Sequence, residues 1–360
     1  MCLGEIMSEY YDRLDGFRKD YFKVLSPDIP EWFFEYVDNE EMQRLSGISM
    51  LCGTDYSAIY KYKAFNSVLD HSVGVGLMIW NFTHDKKQAI AGLFHDIAAP
   101  TFKHCIDFMN GDSEHQESTE ERTETIIRNS KKIMELLERD GIMVEEVCDY
   151  HMYPIADNDT PRLSADRFEY TFSNVLYLYG DWGLDQVARF YNDIAVLKNE
   201  DGIDELGFKT LEIAKEFELA ILPVFARYDS DENRTVMQIL ADIVKSANVK
   251  GFISVDDLYV MSEAEVVDLL LHCDDEYIVQ SFSNFQKAER VVAGEEKIDG
   301  IYCISVKGKK RYIVPLVDTE NGAKRVVELD EESRRAVEDY KTLKRSKWTG
   351  FDFEFVPYEF

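Results

Sequence analysis

Apolar residues recur at helical spacing through the first 250 positions, and that periodicity restricts the chain to a body of packed helices. In TEERTETIIRNSKKIMELLERDG (119–141), Ile126, Ile127, Ile133, Met134, Leu136 and Leu137 fall near one face, and Asp140-Gly141 marks the end. Ser118, with Glu121 three residues later, has the form of a capping box opening that helix. The same spacing runs through DQVARFYNDIAVLKN, LGFKTLEIAKEFELAILPVFARY and RTVMQILADIVKSA. An all-α body over residues 1–250 is expected.

Past Gly251 the pattern changes. SEAEVVDLLLHC reads as one more helix, capped by Ser262 with Glu265 three residues on. GIYCISVKGKKRYIVPLV alternates and is rich in β-branched and aromatic residues about a Gly-containing turn, which predicts a hairpin. DEESRRAVEDYKTLKR is helical in spacing, and GFDFEFVPYEF predicts a closing strand. Residues 251–360 are therefore expected to form a small α+β region, so that the fold class is mainly α with a C-terminal α+β appendage.

Charge narrows the partners. A net charge of -29 repels a phosphate backbone at long range and argues against nucleic acid, whereas a small phosphate ester needs only a local cationic pocket. The strongest basic runs are KGKKR (307–311) and KTLKRSK (341–347). Cys2, Cys52, Cys105, Cys148, Cys273 and Cys303 are scattered without a CxxC pair, as expected of free thiols. The opening MCLGEIMSEYYDRLDG carries acids and tyrosines where a signal peptide needs basic and then apolar residues. No apolar run reaches the roughly 18 residues of a membrane span. The expectation is a cytoplasmic protein without a membrane partner.

The chemistry concentrates in GLFHDIAAPTFKHCIDFMNGDSEHQES (92–118), which holds three of the seven histidines and five carboxylates. KQAIAGLFHDI delivers His95 and Asp96 at the end of an apolar helical run, SVLDHSVGVGLMIWNF carries His71 upstream, and PRLSADRFEYTFSNVLYLY places Asp166 in a first helical turn. Taken singly these are ordinary: a lone helical histidine is commonly structural, and a first-turn aspartate complements the helix dipole. Together, two imidazoles and two carboxylates suit a divalent cation that keeps positions open for water. Iron, manganese, zinc, nickel and magnesium are all compatible with such mixed ligation. Of the other histidines, His84 reads as a helix C-terminal partner, His272 as structural and His151 as a loop residue near the site.

This order of a spaced histidine, a His-Asp pair and a distant aspartate opening a helix resembles the HD superfamily of metal-dependent phosphohydrolases. The likeness is greatest to the deoxynucleoside triphosphate triphosphohydrolases, including the HD domain of the SAM-and-HD enzymes. LDHSVGV, MQRLSGISMLCGTDY, HDIAAPTFKH, SEHQES, ADRFEY, SEAEVVDLLLH and KGKKRYIVPLV all resemble family segments, so the similarity covers most of the chain. The resemblance implies an HD-domain helical bundle, one divalent metal held by His71, His95, Asp96 and Asp166, and His104, Asp107 and His115 near the scissile phosphate. Arg167 and Tyr170 match positions that contact substrate phosphate or sugar, and homo-oligomers are common in the family. Ala98 and Ala99 depart from it: a glycine and a catalytic histidine are usual there.

The leading expectation is a metal-dependent hydrolase of nucleotides that releases nucleoside and triphosphate, with His115, oriented by Asp107, moving the proton and His104 on a phosphate oxygen. One alternative keeps the site and changes the substrate to a nucleoside monophosphate. Another, supported by Ala98-Ala99, is a non-catalytic binding or regulatory protein.

Overall fold

The computed structural model of the protein describes residues 8–116, 118 and 122–353. It is mainly helical. Among the described residues, α-helices of six residues or more are α1 (Gly16–Leu25), α2 (Val68–Thr83), α3 (Lys86–Phe94), α4 (His104–Met109), α5 (Thr123–Asn129), α6 (Lys131–Asp140), α7 (Ala165–Ser173), α8 (Leu184–Asn192), α9 (Leu211–Tyr228), α10 (Asp231–Val249), α11 (Glu263–His272), α12 (Glu276–Lys287) and α13 (Glu331–Thr342), and a π-helical turn over Asn174–Tyr179 continues α7. The strands are β1 (Ile194–Lys198), β2 (Asp204–Phe208), β3 (Val291–Gly294), β4 (Cys303–Ile304), β5 (Leu316–Val317), β6 (Lys324–Arg325) and β7 (Trp348–Phe351). They form one sheet in the order β1-β2-β5-β6 and another in the order β3-β7-β4.

Local chemistry explains most boundaries. Ser67 and Asp70 cap α2 reciprocally, as Ser262 and Glu265 cap α11. The stretch expected as one helix over 119–141 is two, because the Ser130 hydroxyl accepts from the Ile133 amide and its extended backbone starts α6 afresh. Gly141 in the left-handed region ends α6. Glu121, the second half of the expected capping box, lies outside the described residues, and Ser118 instead donates to Asp107. DQVARFYNDIAVLKN is helical only to Asn192; Ile194–Lys198 is β1, paired antiparallel with β2 in a register that sets Ile194 opposite Phe208. Asn199 Oδ1 there accepts from the amides of Asp201 and Ile203, a turn that competes with continued helix.

The expected hairpin over 300–317 does not form. Cys303–Ile304 pairs with β7, whereas Leu316–Val317 runs parallel to β2, with Leu316 opposite Gly207. Between them, residues 305–315 cross without strand pairing because their side chains find partners elsewhere. Lys310 Nζ donates to the carbonyls of Tyr340, Lys341 and Leu343 at the end of α13, and the Val314 amide bonds Pro161. The closing strand is Trp348–Phe351, and residues 354–360 lie outside the described set. Sheet structure is thus more extensive than a C-terminal appendage, since β1 and β2 belong to the expected all-α body.

The core also crosses position 250. One cluster joins residues between Tyr10 and Phe225 to Ile313, Val317, Val337 and Tyr340; the other joins Phe102 and Ile106 to Leu240, Phe282 and Phe351. Between α2 and α3, Gly92 permits close approach: a Cβ there would stand 2.1 Å from Ile79 Cδ1. That contact draws the two helices together and with them His71 and His95. Among the described residues, no helix is long and apolar enough to cross a membrane.

Candidate metal centre

His71 projects from the second turn of α2 and is 1% exposed. Its Nδ1 lies 2.5 Å from Glu169 Oε2, and that carboxylate also accepts from Tyr21 Oη at 2.9 Å and Ser173 Oγ at 3.2 Å. His95, at the end of α3, sets Nδ1 2.7 Å from the Gly92 carbonyl. The two Nε2 atoms face each other at 3.1 Å. Asp166 Oδ1, from the first turn of α7, stands 3.0 Å from His71 Nε2 and 3.5 Å from His95 Nε2. Asp96 Oδ2 is 3.8 Å and 3.4 Å from the same atoms. Ligand atoms of His71, His95 and Asp96 all fall within 4.8 Å of one another.

This donor set fits a divalent cation. Each Nδ1 faces an acceptor, which places the ring proton there and turns the Nε2 lone pairs toward one another. Two lone pairs at 3.1 Å with carboxylate oxygens alongside call for positive charge between them. A proton can supply it: burial draws the His71 pKa down, but Glu169 and Asp166 outweigh burial and lift it to about 9. A metal ion meets the same need, and mixed imidazole and carboxylate donors suit a borderline or hard divalent ion.

A second layer surrounds these four. Lys103, in a left-handed backbone conformation and 7% exposed, sets Nζ 2.5 Å from Asp96 Oδ2. Burial raises the Asp96 pKa, yet Lys103 and His95 together hold it well below the usual carboxylate range. His104 Nδ1 is 3.0 Å from Asp107 Oδ2, and the fully buried Asp107 is fixed through Oδ1 by the Ser118 hydroxyl at 2.7 Å and amide at 3.1 Å. Burial, with help from Arg311 and Lys103, lowers the His104 pKa, so its ring is neutral at pH 7.

His71, His95, Asp96, Asp166, Lys103 and His104 line a cavity of about 850 Å³. Arg311 and Lys309 also line it, as do Tyr170 and Asn174. Ala99 is buried in the core, with its carbonyl held by Arg44 at 2.7 Å, and does not line the cavity.

Several expected roles sit differently. His115 does not meet Asp107: its side chain is 80% exposed, and Nδ1 bonds Asp112 at 3.1 Å. The sequence spacing brought it near, but the turn at 111–116 directs it outward. Arg167 lines the cavity, yet its guanidinium donates to the carbonyls of Asn158 and Arg162 and pairs with Asp157, which secures the 157–162 loop. Tyr170 is buried against the Arg311 guanidinium, and Asn174 Oδ1 one turn along has no hydrogen-bond partner among the described residues. His151 lines the cavity; His84 bonds the Trp80 carbonyl at the end of α2, and His272 is 70% exposed. Sequence reading missed Glu169, Lys103 and Arg311. Glu169 was findable, since it lies three residues after Asp166 on one helix face; Lys103 carried no signal, and Arg311 only that of a basic run in an acidic chain.

No family model matches the chain. Over nearly its whole length it is similar in fold to the phosphohydrolase of Bacteroides thetaiotaomicron, with a TM-score of 0.60, 13% identity, and coverage of 89% of this chain and 96% of that one. The two chains share a fold. A hypothetical protein from Aquifex aeolicus aligns equally well, with a TM-score of 0.60 at 16% identity over 89% of this chain and 91% of that chain. In sequence, the chain is 25% identical over 287 residues to the uncharacterized protein YdhJ of Bacillus subtilis, covering 79% of this chain and 83% of YdhJ. It is 25% identical over 145 residues to the metal-dependent phosphohydrolase cns2 of Cordyceps militaris, spanning 39% of this chain and 40% of that protein.

Proposed function

We propose that this protein is a metal-dependent phosphohydrolase acting on a nucleotide. The observation that carries the reading is the meeting of His71 and His95 Nε2 with Asp96 and Asp166 oxygens in a large cavity whose wall also bears Lys103 and Arg311. The names of cns2 and of the Bacteroides neighbour agree with it. A divalent ion bound by the four side chains would acidify water and offset phosphate charge.

The protein's own groups do the rest. Lys103 and Arg311 bring positive charge to the phosphate side of the cavity. His104 keeps its proton on Nδ1 against Asp107 and offers Nε2 as a proton acceptor; protonated there, it returns the proton to the departing oxygen. This gives His104 the proton-transfer role expected of His115. Asn174 Oδ1, an acceptor without a partner among the described residues, suits the hydroxyl of a sugar beside the Tyr170 ring.

Triphosphohydrolase chemistry, with release of nucleoside and inorganic triphosphate, follows the family resemblance. Ala99 favours a second reading, cleavage of a nucleoside monophosphate, because the histidine usual there is missing. The test is incubation of the manganese-loaded protein with deoxynucleoside tri- and monophosphates and separation of the phosphate products. Triphosphate supports the first reading and orthophosphate from monophosphates the second; no turnover with either class counts against nucleotide hydrolysis.

A further inference from the structure

We propose that Arg311 is the phosphate-anchoring residue of the cavity and that Gln116 keeps it available by holding it without neutralising it. The proposal rests on, and extends, the phosphohydrolase reading. Acids outnumber bases in this chain by 69 to 40, and the other arginine and the buried lysine of the cavity wall have carboxylate partners. Arg167 pairs with Asp157 and Lys103 with Asp96. Arg311 makes no ion pair among the described residues. Its NH2 instead donates to Gln116 Oε1 at 2.6 Å and lies 3.5 Å from His104 Nε2, and its guanidinium carbon is 5.8 Å from the centre of the Tyr170 ring. With Asp166 acting on it only at a distance and no carboxylate in contact, the guanidinium stays available to an anion, and its planar fork matches two phosphate oxygens.

The surroundings are built for this. Residues 305–315 carry Arg311 across the cavity without strand pairing, anchored on one side by Lys310 at the end of α13 and on the other by the Val314 amide on Pro161. The Tyr340 hydroxyl fixes the Arg311 carbonyl at 2.7 Å. Gln116 has a left-handed backbone, is 9% exposed, and holds its amide on the Ser113 carbonyl at 3.3 Å, so that Oε1 is presented to the arginine. A glutamate has the same shape and would cancel the charge. The choice of amide over acid at this point separates positioning from neutralisation. Beside the arginine, the neutral His104 supplies Nε2, so the anchored phosphate comes within reach of the proton-transfer group.

The test is calorimetric titration of the full-length, manganese-loaded protein with inorganic phosphate and pyrophosphate. Arg311→Gln should weaken binding about tenfold or more, with manganese stoichiometry and melting temperature unchanged. Arg311→Lys should recover part of the loss. Gln116→Glu should weaken binding comparably with the arginine still in place, and it keeps the proposal testable if an Arg311 variant does not fold. Unchanged affinity in both Arg311→Gln and Gln116→Glu overturns it. Phosphate binding that depends on Arg311 in a protein that takes up no manganese would sustain the anchor and sink the metal centre; manganese uptake with no phosphate binding would do the reverse.

Discussion

His71 Nε2 lies 3.1 Å from His95 Nε2, while the other nitrogen of each ring is already committed to an acceptor. The pair is therefore stable only with positive charge between its members. Replacing His95 by alanine should abolish stoichiometric binding of manganese or iron, measured by elemental analysis after desalting. In the unaltered protein, metal at about a hundred times its Kd should add roughly 2.7 kcal/mol of stability, a rise in Tm of about 4 °C that a chelator reverses. A melting temperature indifferent to metal and chelator would contradict the site.

Glu169 holds His71, and Gly74 makes room for Glu169. A Cβ at position 74 would stand 2.7 Å from both Cγ and Oε1 of Glu169. Gly74→Ala should displace that carboxylate, and Glu169→Gln should keep its shape while removing its charge. Outer partners of metal-bound histidines typically contribute 10- to 100-fold in affinity, so both variants should bind metal about that much more weakly. Competition with a fluorescent chelator reads this directly.

Lys103 and a divalent cation compete for the same carboxylate, since Nζ is 2.5 Å from Asp96 Oδ2. Lys103→Met preserves an unbranched chain and removes the charge. Metal affinity should rise about tenfold from relief of like-charge repulsion, while turnover of any phosphate ester falls. A metal affinity that drops together with turnover would mean that Lys103 supports Asp96 rather than competing for it.

The placement of His71, His95 and Asp166 was legible because they sit on regular elements with local signals. Ser67 opens α2 four residues before His71, the apolar run of α3 ends on His95, and Ser164 caps the helix whose first turn bears Asp166. Each geometry follows from a cap or a period. The cavity wall was not readable. Arg311 is 145 residues beyond Asp166, and KGKKR has the composition of a solvated turn; only the pairing of β5 with β2 and β4 with β7 carries it inward. His115 failed in the opposite sense. It lies close in sequence to Asp107, but a turn of few residues reverses which side chain faces the pocket, and no periodicity reports on that. The strand pair at 194–208 was read as helix because its apolar residues also satisfy helical spacing, and the Asn199 turn decides against it.

Away from the centre, Glu218 on α9 is fully buried, with the Ser333 hydroxyl beside it and no charged partner for its carboxylate among the described residues. Burial pushes its pKa from the ordinary 4.5 up to about 7. The folded protein thus holds a proton there that the unfolded chain releases above pH 4.5. No penalty exists below that value. As pH rises from 4.5 to 7 the unfolded state gains, and above pH 7 the cost levels off at about 3 kcal/mol. Glu218→Gln keeps the volume and removes the ionisation. Its denaturation midpoint should match that of the unaltered protein at pH 4.5 and exceed it at pH 8, with the difference opening between those values. A difference independent of pH would show that Glu218 remains in one protonation state throughout.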